Sequence, residues 1–507
     1  TKGLARFPSP VVRWWVRPSS ENTTMIRCLT LLAFCLAFLP ARSQDTLWFQ
    51  HDNPSLGVAA IPLADYDSVE FVTSDGMPSL RMYHPDGAVG EHPLDSLVAG
   101  DVTAGQFYLF NPAAYKYKVA TIEITTEGGA PVVGKEKTDY VNCTVKVTSD
   151  CPQWNLTATA RIRGRGNSSW LWYDKKPYRL KFDKKQPMLG LPKNKDWVLL
   201  ANYRDATDLM NTFAFTMASG VGLPFTNHSR YVELTLNGDF LGLYQLTEQI
   251  EVANSRVDIN EDGGILLSLD ADDGPELSPD ATDNFWSLVY KLPVCVKSPS
   301  DPTTQDLQYI QYQFSALENA IKSHDWRSFY ANAAAFEFID YLLIQAFVYN
   351  VEIAAPRSIY LYRDSAETRW HAGPVWDFDA GFDFEWANMY TGHDFFASYK
   401  ETVLGTDPAN HISNYSYVNS FFTDMWHSRS FVNAVRMRWR MMKDRIMSEF
   451  WPETMRYADG FREAMQRDIS RWPIGKDPDT ETERMKTWLT NRVTFMDKVV
   501  QEYPDGK

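Results

Sequence analysis

The strongest constraint on this chain is a change of pattern partway along it. From Ala120 to Leu246 it reads as short strands separated by turn residues; from about Gln305 onward it reads as helices. Thr157 to Gly164 alternates, and Tyr178 to Phe182 follows as a second strand, the period-two signal of a sheet. Tyr231–Leu236 and Phe240–Leu246 flank Asn237-Gly238, a pair suited to a type I′ hairpin turn. Leu209, Phe213 and Met217 share one face of a helix expected from about Asp208 to Ser219, with Gly220 as its stop. Phe336 to Val348 is a nearly continuous apolar helix, which suits a core. Ile359–Tyr362 and Pro374–Trp376 read as strands around a turn at Asp364 to Glu367. Two helical faces close the chain: Phe431, Val435, Met442 and Ile446, then Met485, Trp488, Leu489, Val493 and Met496. Strands followed by helices imply an α+β fold.

The 507 residues suffice for one large domain plus one or two small ones, and 14 % aromatics make a sizeable core easy to build. A formal net charge of −14 excludes a general nucleic-acid binder, although not a local basic pocket. Residues 1–24 read as an upstream segment outside the native chain. Met25, Arg27, the apolar run Leu29–Leu39 and Ala41-Arg42-Ser43 read as a signal peptide over 25–43, so the protein is expected to be exported: secreted, periplasmic or at the cell surface. The apolar run is too short to span a bilayer, and no later segment is apolar enough. Of five cysteines, Cys143, Cys151 and Cys295 follow the leader. Cys143 and Cys151 either close a short loop or stay as two free thiols.

Residues 45–118 form a small β-rich module with strands such as Leu47-Trp48-Phe49, Ser68–Val72 and Leu80–Tyr83. The main domain is expected over 119–415, with a helical part, 416–507, packed on it.

Two constellations carry chemistry. The first is Arg161 to Ser169, Arg-Ile-Arg-Gly-Arg-Gly-Asn-Ser-Ser, followed by Lys175 to Phe182. Glycines between two strands let backbone N–H groups approach an anion, while hydroxyls and cations add donors. This is how a phosphate cradle is built; a solvated basic hairpin explains the stretch about as well. The second is Trp376-Asp377-Phe378-Asp379. Two carboxylates one residue apart suit a hard divalent cation, and equally a turn whose Asp residues cap N–H groups. No histidine or cysteine spacing supports zinc, and no Gly-x-Ser-x-Gly elbow is present.

In this order the segments resemble the CotH kinase family of atypical secreted protein kinases, named for a spore coat protein. The resemblance rests on Arg163 to Trp170, Lys176 to Phe182, Trp197 to Asp205, Leu236 to Tyr244, Glu248 and Gly373 to Asp379. It runs from Ala120 to about Phe384, and Trp488, Leu489 and Arg492 also look like the family's C-terminal region. It implies a divergent two-lobed protein-kinase-like fold with a helical C-terminal region. It further implies ATP with Mg²⁺ or Mn²⁺. Arg163, Gly164, Gly166, Asn167 and Ser168 would cover the phosphates, and Lys176 or Lys181 would contact them. Asp205, rather than Asp208, would hold that lysine, and Glu248 would fall near the lobe connection. Asp377 would bind metal with Asp379 beside it. Where the family carries Asn-x-Asp and, five residues later, Asn, this chain has Glu352 and Arg357, with Ser358 next. Glu352 would then orient the acceptor hydroxyl, and Arg357 cannot ligand a cation.

The leading expectation is an exported, metal-dependent kinase-like phosphotransferase acting on a protein hydroxyl. A pseudokinase that binds nucleotide or another anion without transfer is the first alternative, fed by Glu352 and Arg357. A polysaccharide hydrolase using Asp377, Asp379 and Glu352 comes third, because it leaves the Lys/Arg/Gly hairpin unexplained.

Overall fold

The computed structural model describes residues 46–50, 58–62, 68–74, 77–83, 88–93, 112–151, 154–353, 356–382, 420–473 and 477–503. The expected signal peptide, the segment before it and the expected boundary at 415 lie outside them. The chain divides into two compact units between Ala114 and Tyr115. In the first, β1 (Thr46–Gln50) pairs antiparallel with β2 (Val58–Pro62). There too β3 (Ser68–Ser74), β4 (Met77–Tyr83) and β5 (Val89–Pro93) make an antiparallel three-stranded sheet.

The second unit begins with a closed seven-stranded barrel. Its strands are β6 (Ala120–Thr126), β7 (Val141–Thr148), β8 (Leu156–Gly164), β9 (Tyr178–Gln186), β10 (Asn194–Leu200), β11 (Arg230–Leu236) and β12 (Asp239–Glu248). They are ordered β10-β12-β11-β6-β7-β8-β9, and β9 pairs back onto β10. Only β11 with β6 runs parallel. Alternation decides which side chains fill the barrel: Ile122 and Ile124, Val145 and Val147, Ile162, Leu180 and Phe182 point inward. The β11–β12 hairpin turns at Asn237 and Gly238, both at positive φ, as the Asn-Gly pair implies.

Strand β10 is apolar on both faces for a reason. Trp197 and Leu199 enter the barrel core, while Val198 and Leu200 enter a second core under the helices. On β12, the register shifts between Leu234 and Thr235 of its partner, so Leu241 and Tyr244 face the barrel while Leu243 faces the helices.

The second core gathers α2 (Met210–Val221), α3 (Thr304–Lys322), α4 (Trp326–Asn332), α5 (Ala335–Phe347), α6 (Arg429–Arg445), α7 (Trp451–Arg471) and α8 (Pro478–Glu502); a four-residue turn, α1 (Ser168–Leu171), follows β8. A five-stranded sheet lies with them, ordered β14 (Asn284–Trp286), β15 (Pro293–Ser298), β13 (Ile265–Leu269), β16 (Ile359–Arg363) and β17 (His371–Ala372). Both expected C-terminal faces are buried, Phe431, Val435 and Met442 on α6 and Met485, Trp488 and Met496 on α8.

Three expectations need correction. Helix α2 starts at Met210, because the Asp205 carboxylate receives the Met210 N–H and Asp208 sits at φ 55. It ends at Gly222, whose φ of 86 turns the chain, and not at Gly220, which lies inside the helix. Pro374–Trp376 is not a strand: the ladder stops at Ala372, before Gly373 at φ 131 and a proline that offers no N–H. Of the two alternatives the sequence leaves for Cys143 and Cys151, the free thiols are the one found, and Cys295 is likewise a free, buried thiol.

Candidate functional site

A cleft of about 1110 Å³ opens between the barrel and the rest of the unit. Its barrel wall is the β8–β9 connection. Gly166, at φ 86, makes the turn, and a side chain there would collide with the Ser169 hydroxyl. A side chain at Gly164 would run into the Trp170 ring. The turn is tied down from the β6–β7 connection: Gly164 N–H donates to the Gly134 carbonyl at 2.8 Å, and Lys135 donates to Asn167 Oδ1 at 2.7 Å. Arg163 donates to the carbonyls of Lys135 and Gly164 and stacks on Tyr140.

On β9, Leu180 and Phe182 fill the barrel, so Arg179 and Lys181 face outward into the cleft. The register sets Asp196 of β10 opposite Lys181. Arg179 donates to Asp196 Oδ1 at 2.7 and 3.0 Å, and Lys181 Nζ lies 3.8 Å from Oδ2. Burial works against the Arg179 charge, but Asp196 outweighs it and holds the guanidinium above its ordinary pKa.

Lys175 is a further cation on this wall. It is buried, with its Nζ 2.8 Å from Asp468 Oδ1 on α7 and donating to the Leu243 carbonyl at 2.6 Å. Leu243 N–H donates to the same Asp468 oxygen at 2.8 Å, so one carboxylate joins β12 to the helices. Asp208 lies close to Lys175 and Asp468, outside the cleft lining; burial, against the pull of Lys175, pushes its carboxyl well up.

The opposite wall is acidic. Trp376 to Phe382 forms a turn with Asp377 at φ 62 and Phe382 at φ 60, a conformation that costs a side chain of the order of 1–3 kcal/mol. The surroundings impose it. Asn211 of α2 accepts the Phe378 N–H at 3.0 Å, and the Phe378 ring is fully buried. Phe382 N–H donates to Val348, and Arg484 of α8 donates to the Phe382 carbonyl. Ser358 Oγ donates to Asp377 Oδ2 at 3.5 Å.

Glu352 follows α5 in a single 3₁₀ turn. Arg492, fully buried on α8, donates to the Ala346 and Phe347 carbonyls and so caps α5 just ahead of that turn. Burial, then the nearby Asp377 and Asp379, push the Glu352 carboxyl well above its usual range. Burial and Asp377 push Asp379 up to about 7, and burial raises Asp377 against the pull of Arg165. Beside them burial and Asp273 push Asp270 up to about 6, while Arg357 pairs with Asp272 at 2.8 Å. Among the described residues no three Asp, Glu, His or Cys side chains converge as a metal cage.

The cleft thus brings together Arg163, Gly166, Asn167, Ser168, Lys181, Glu352, Asp377 and Asp379 from the expected set. The other four lie elsewhere. Lys176 donates to the Trp170 carbonyl at 2.7 Å. Asp205 accepts from Thr207 and Met210 at the start of α2. Glu248 is buried against His228, 2.7 Å from its Nδ1, and Gly164 lies beneath Trp170. Sequence reasoning missed Asp196, Asp468 and Asn211. The signal for Asp196 was a carboxylate entering an apolar strand, which gains meaning only from the register with Lys181.

A basic wall facing crowded carboxylates can hold a polyanion on one side and a hard cation on the other. No curated protein matches the chain. The family model described as CotH kinase protein matches residues 162–496, from β8 to α8 and across both walls of the cleft. The chain therefore belongs to the CotH kinase family, which makes it an atypical kinase-like protein.

Proposed function

We propose that this is an exported protein that binds ATP with a divalent cation in the cleft and transfers the γ-phosphoryl group to a protein hydroxyl. The barrel and the helical body are read as the two lobes of a divergent kinase-like fold. One observation carries the reading: the glycine turn with Arg179 and Lys181 and the carboxylates Glu352, Asp377 and Asp379 line the same cleft.

Asp377 and Asp379 would hold the cation. They fit one in that they are hard oxygen donors set close together, with carboxyls raised by burial and, for Asp379, by the neighbouring Asp377. Mg²⁺ is usually held by one or two carboxylates plus substrate phosphates, so a three-residue cage is not required. When bound, the cation would neutralise charge developing on the phosphates.

The chain's own residues do the rest. The Gly166 turn offers backbone N–H groups and hydroxyls to the phosphates, and Lys181 with Arg179, anchored by Asp196, adds charge. Glu352 accepts the proton of the acceptor hydroxyl. The acceptor oxygen bonds to the γ-phosphorus, the bond from that phosphorus to the β–γ bridging oxygen breaks, and ADP leaves. Catalysis here is mainly positioning and charge neutralisation.

A second reading, nucleotide binding without transfer, is favoured by Arg357, a cation paired with Asp272 at the position where the family pattern carries an Asn. Titration with Mg²⁺–ATP by calorimetry, combined with a phosphate-incorporation assay on candidate acceptor proteins, separates the two. Binding without incorporation supports the second reading, and no binding ends both.

A further inference from the structure

Most cations lining the cleft already have a polar side-chain partner. Lys135 meets Asn167, Lys175 meets Asp468, Arg179 and Lys181 share Asp196, Lys297 lies 3.6 Å from Asp273, and Arg357 meets Asp272. Arg163 donates to backbone carbonyls and Arg204 to the Tyr173 hydroxyl. Arg165 differs. It lies in the glycine turn between Gly164 and Gly166, and its backbone N–H is used by the Pro177 carbonyl. Among the described residues no carboxylate forms an ion pair with its guanidinium, which rests over the Trp376 ring at 5.5 Å.

That platform is fixed. Trp376 is 5 % exposed and stacks on Phe215 of α2 with ring centroids 6.2 Å apart. It is also the residue immediately before Asp377. A planar guanidinium lying on a held indole has little freedom left to lose when it binds, and its donors remain along the edge of the plane. Asp377 is the carboxylate that pulls hardest on this guanidinium, and Arg165 the cation that pulls on Asp377.

We propose that Arg165 is the residue that meets the terminal phosphate of the nucleotide, and so distinguishes a triphosphate from a diphosphate. This rests on the reading of the cleft as an ATP site with the metal at Asp377. A cation held by Asp377 would neutralise charge at the end of the phosphate chain, and the guanidinium beside Asp377 would meet the same end. Arg179 and Lys181, anchored by Asp196 on β9 and β10, meet phosphates that ADP and ATP share. Arg suits the outer place because its fork matches two phosphate oxygens at once.

The test is calorimetric and needs no turnover: the affinities of the full chain for Mg²⁺–ADP and for a non-hydrolysable Mg²⁺–ATP analogue. The wild type should prefer the triphosphate. Arg165→Gln should weaken the triphosphate roughly 10–100-fold, the loss of a charged hydrogen bond, and the diphosphate by less than about threefold. Arg165→Lys, which keeps the charge but loses the fork, should fall between and guards against misfolding of the first variant. Lys181→Gln should weaken both ligands alike. Equal losses of both ligands in the Arg165 variants, or an unchanged preference, would overturn the proposal and leave the ATP site standing. A wild type that prefers neither ligand would also overturn the proposal alone, whereas one that binds neither removes the ATP reading with it.

Discussion

The two walls of the cleft solve their electrostatics in opposite ways. On the barrel wall Arg179 and Lys181 share Asp196, and Lys175 sits between Asp468 and a carbonyl. On the facing wall burial raises the carboxyls of Glu352, Asp377 and Asp379, and the Asp377 charge adds to the rise at the other two. Charge on the first wall belongs to the structure and stabilises it. Charge on the second is a cost that the fold tolerates, together with the positive φ of Asp377. Removing charge should therefore have opposite effects on the two sides.

The largest effect tests the acidic wall directly. Asp377→Asn keeps the volume and relieves repulsion, so the ligand-free protein should melt at the same temperature or higher. It should lose the shift that Mg²⁺–ATP gives the wild type, and all phosphoryl transfer with it. Thermal melts with and without Mg²⁺–ATP report both; an undiminished shift would take Asp377 out of the metal site.

Next comes Glu352→Gln, which should lower transfer by roughly 10²–10⁴-fold while leaving nucleotide affinity within about twofold. Unchanged turnover in a phosphate-incorporation assay would reduce Glu352 to one more crowded carboxylate.

The barrel wall should behave in the other sense. Lys175→Ala leaves Asp468 without its cation beside Asp208 and should cost about 3–5 kcal/mol of stability, measured by urea unfolding. A loss under about 1 kcal/mol would mean that water or proton uptake replaces the lysine, and the contrast between the walls would weaken.

The smallest effect lies outside the cleft. Burial disfavours protonation of His371, but Glu337 and Glu367 prevail and raise its pKa above the ordinary value. Its contribution is thus fully present below about pH 6.5 and lost as the pH rises through the folded value. His371→Gln should remove that component, less than about 1 kcal/mol, between pH 6 and pH 8 in melting curves. An identical pH profile in wild type and variant would show that the ion pairs contribute nothing.

Much of this was legible in the chain because it is local. Asn237-Gly238 sets its own hairpin, the alternation of Thr157 to Gly164 declares a strand, and the nearly continuous apolar run Phe336 to Val348 suits a core helix. Gly166 and Asp377 belong to short segments whose residue types already carry anion- and cation-binding chemistry, and the family could be recognised from their order. What the tertiary structure decided is pairing. Whether Asp196 or Asp205 holds a cation depends on the register that sets β10 against β9, and only the distant α7 carries the carboxylate that neutralises Lys175. Helix α8 reaches back to cap α5 through Arg492 and so supports the Glu352 turn. Closure of the barrel turns Arg179 and Lys181 toward the cleft. The physical reason is range. Turn chemistry and periodicity act over a few residues, whereas an ion pair requires two side chains within a few ångströms, a condition the sequence order of Lys175 and Asp468 does not express.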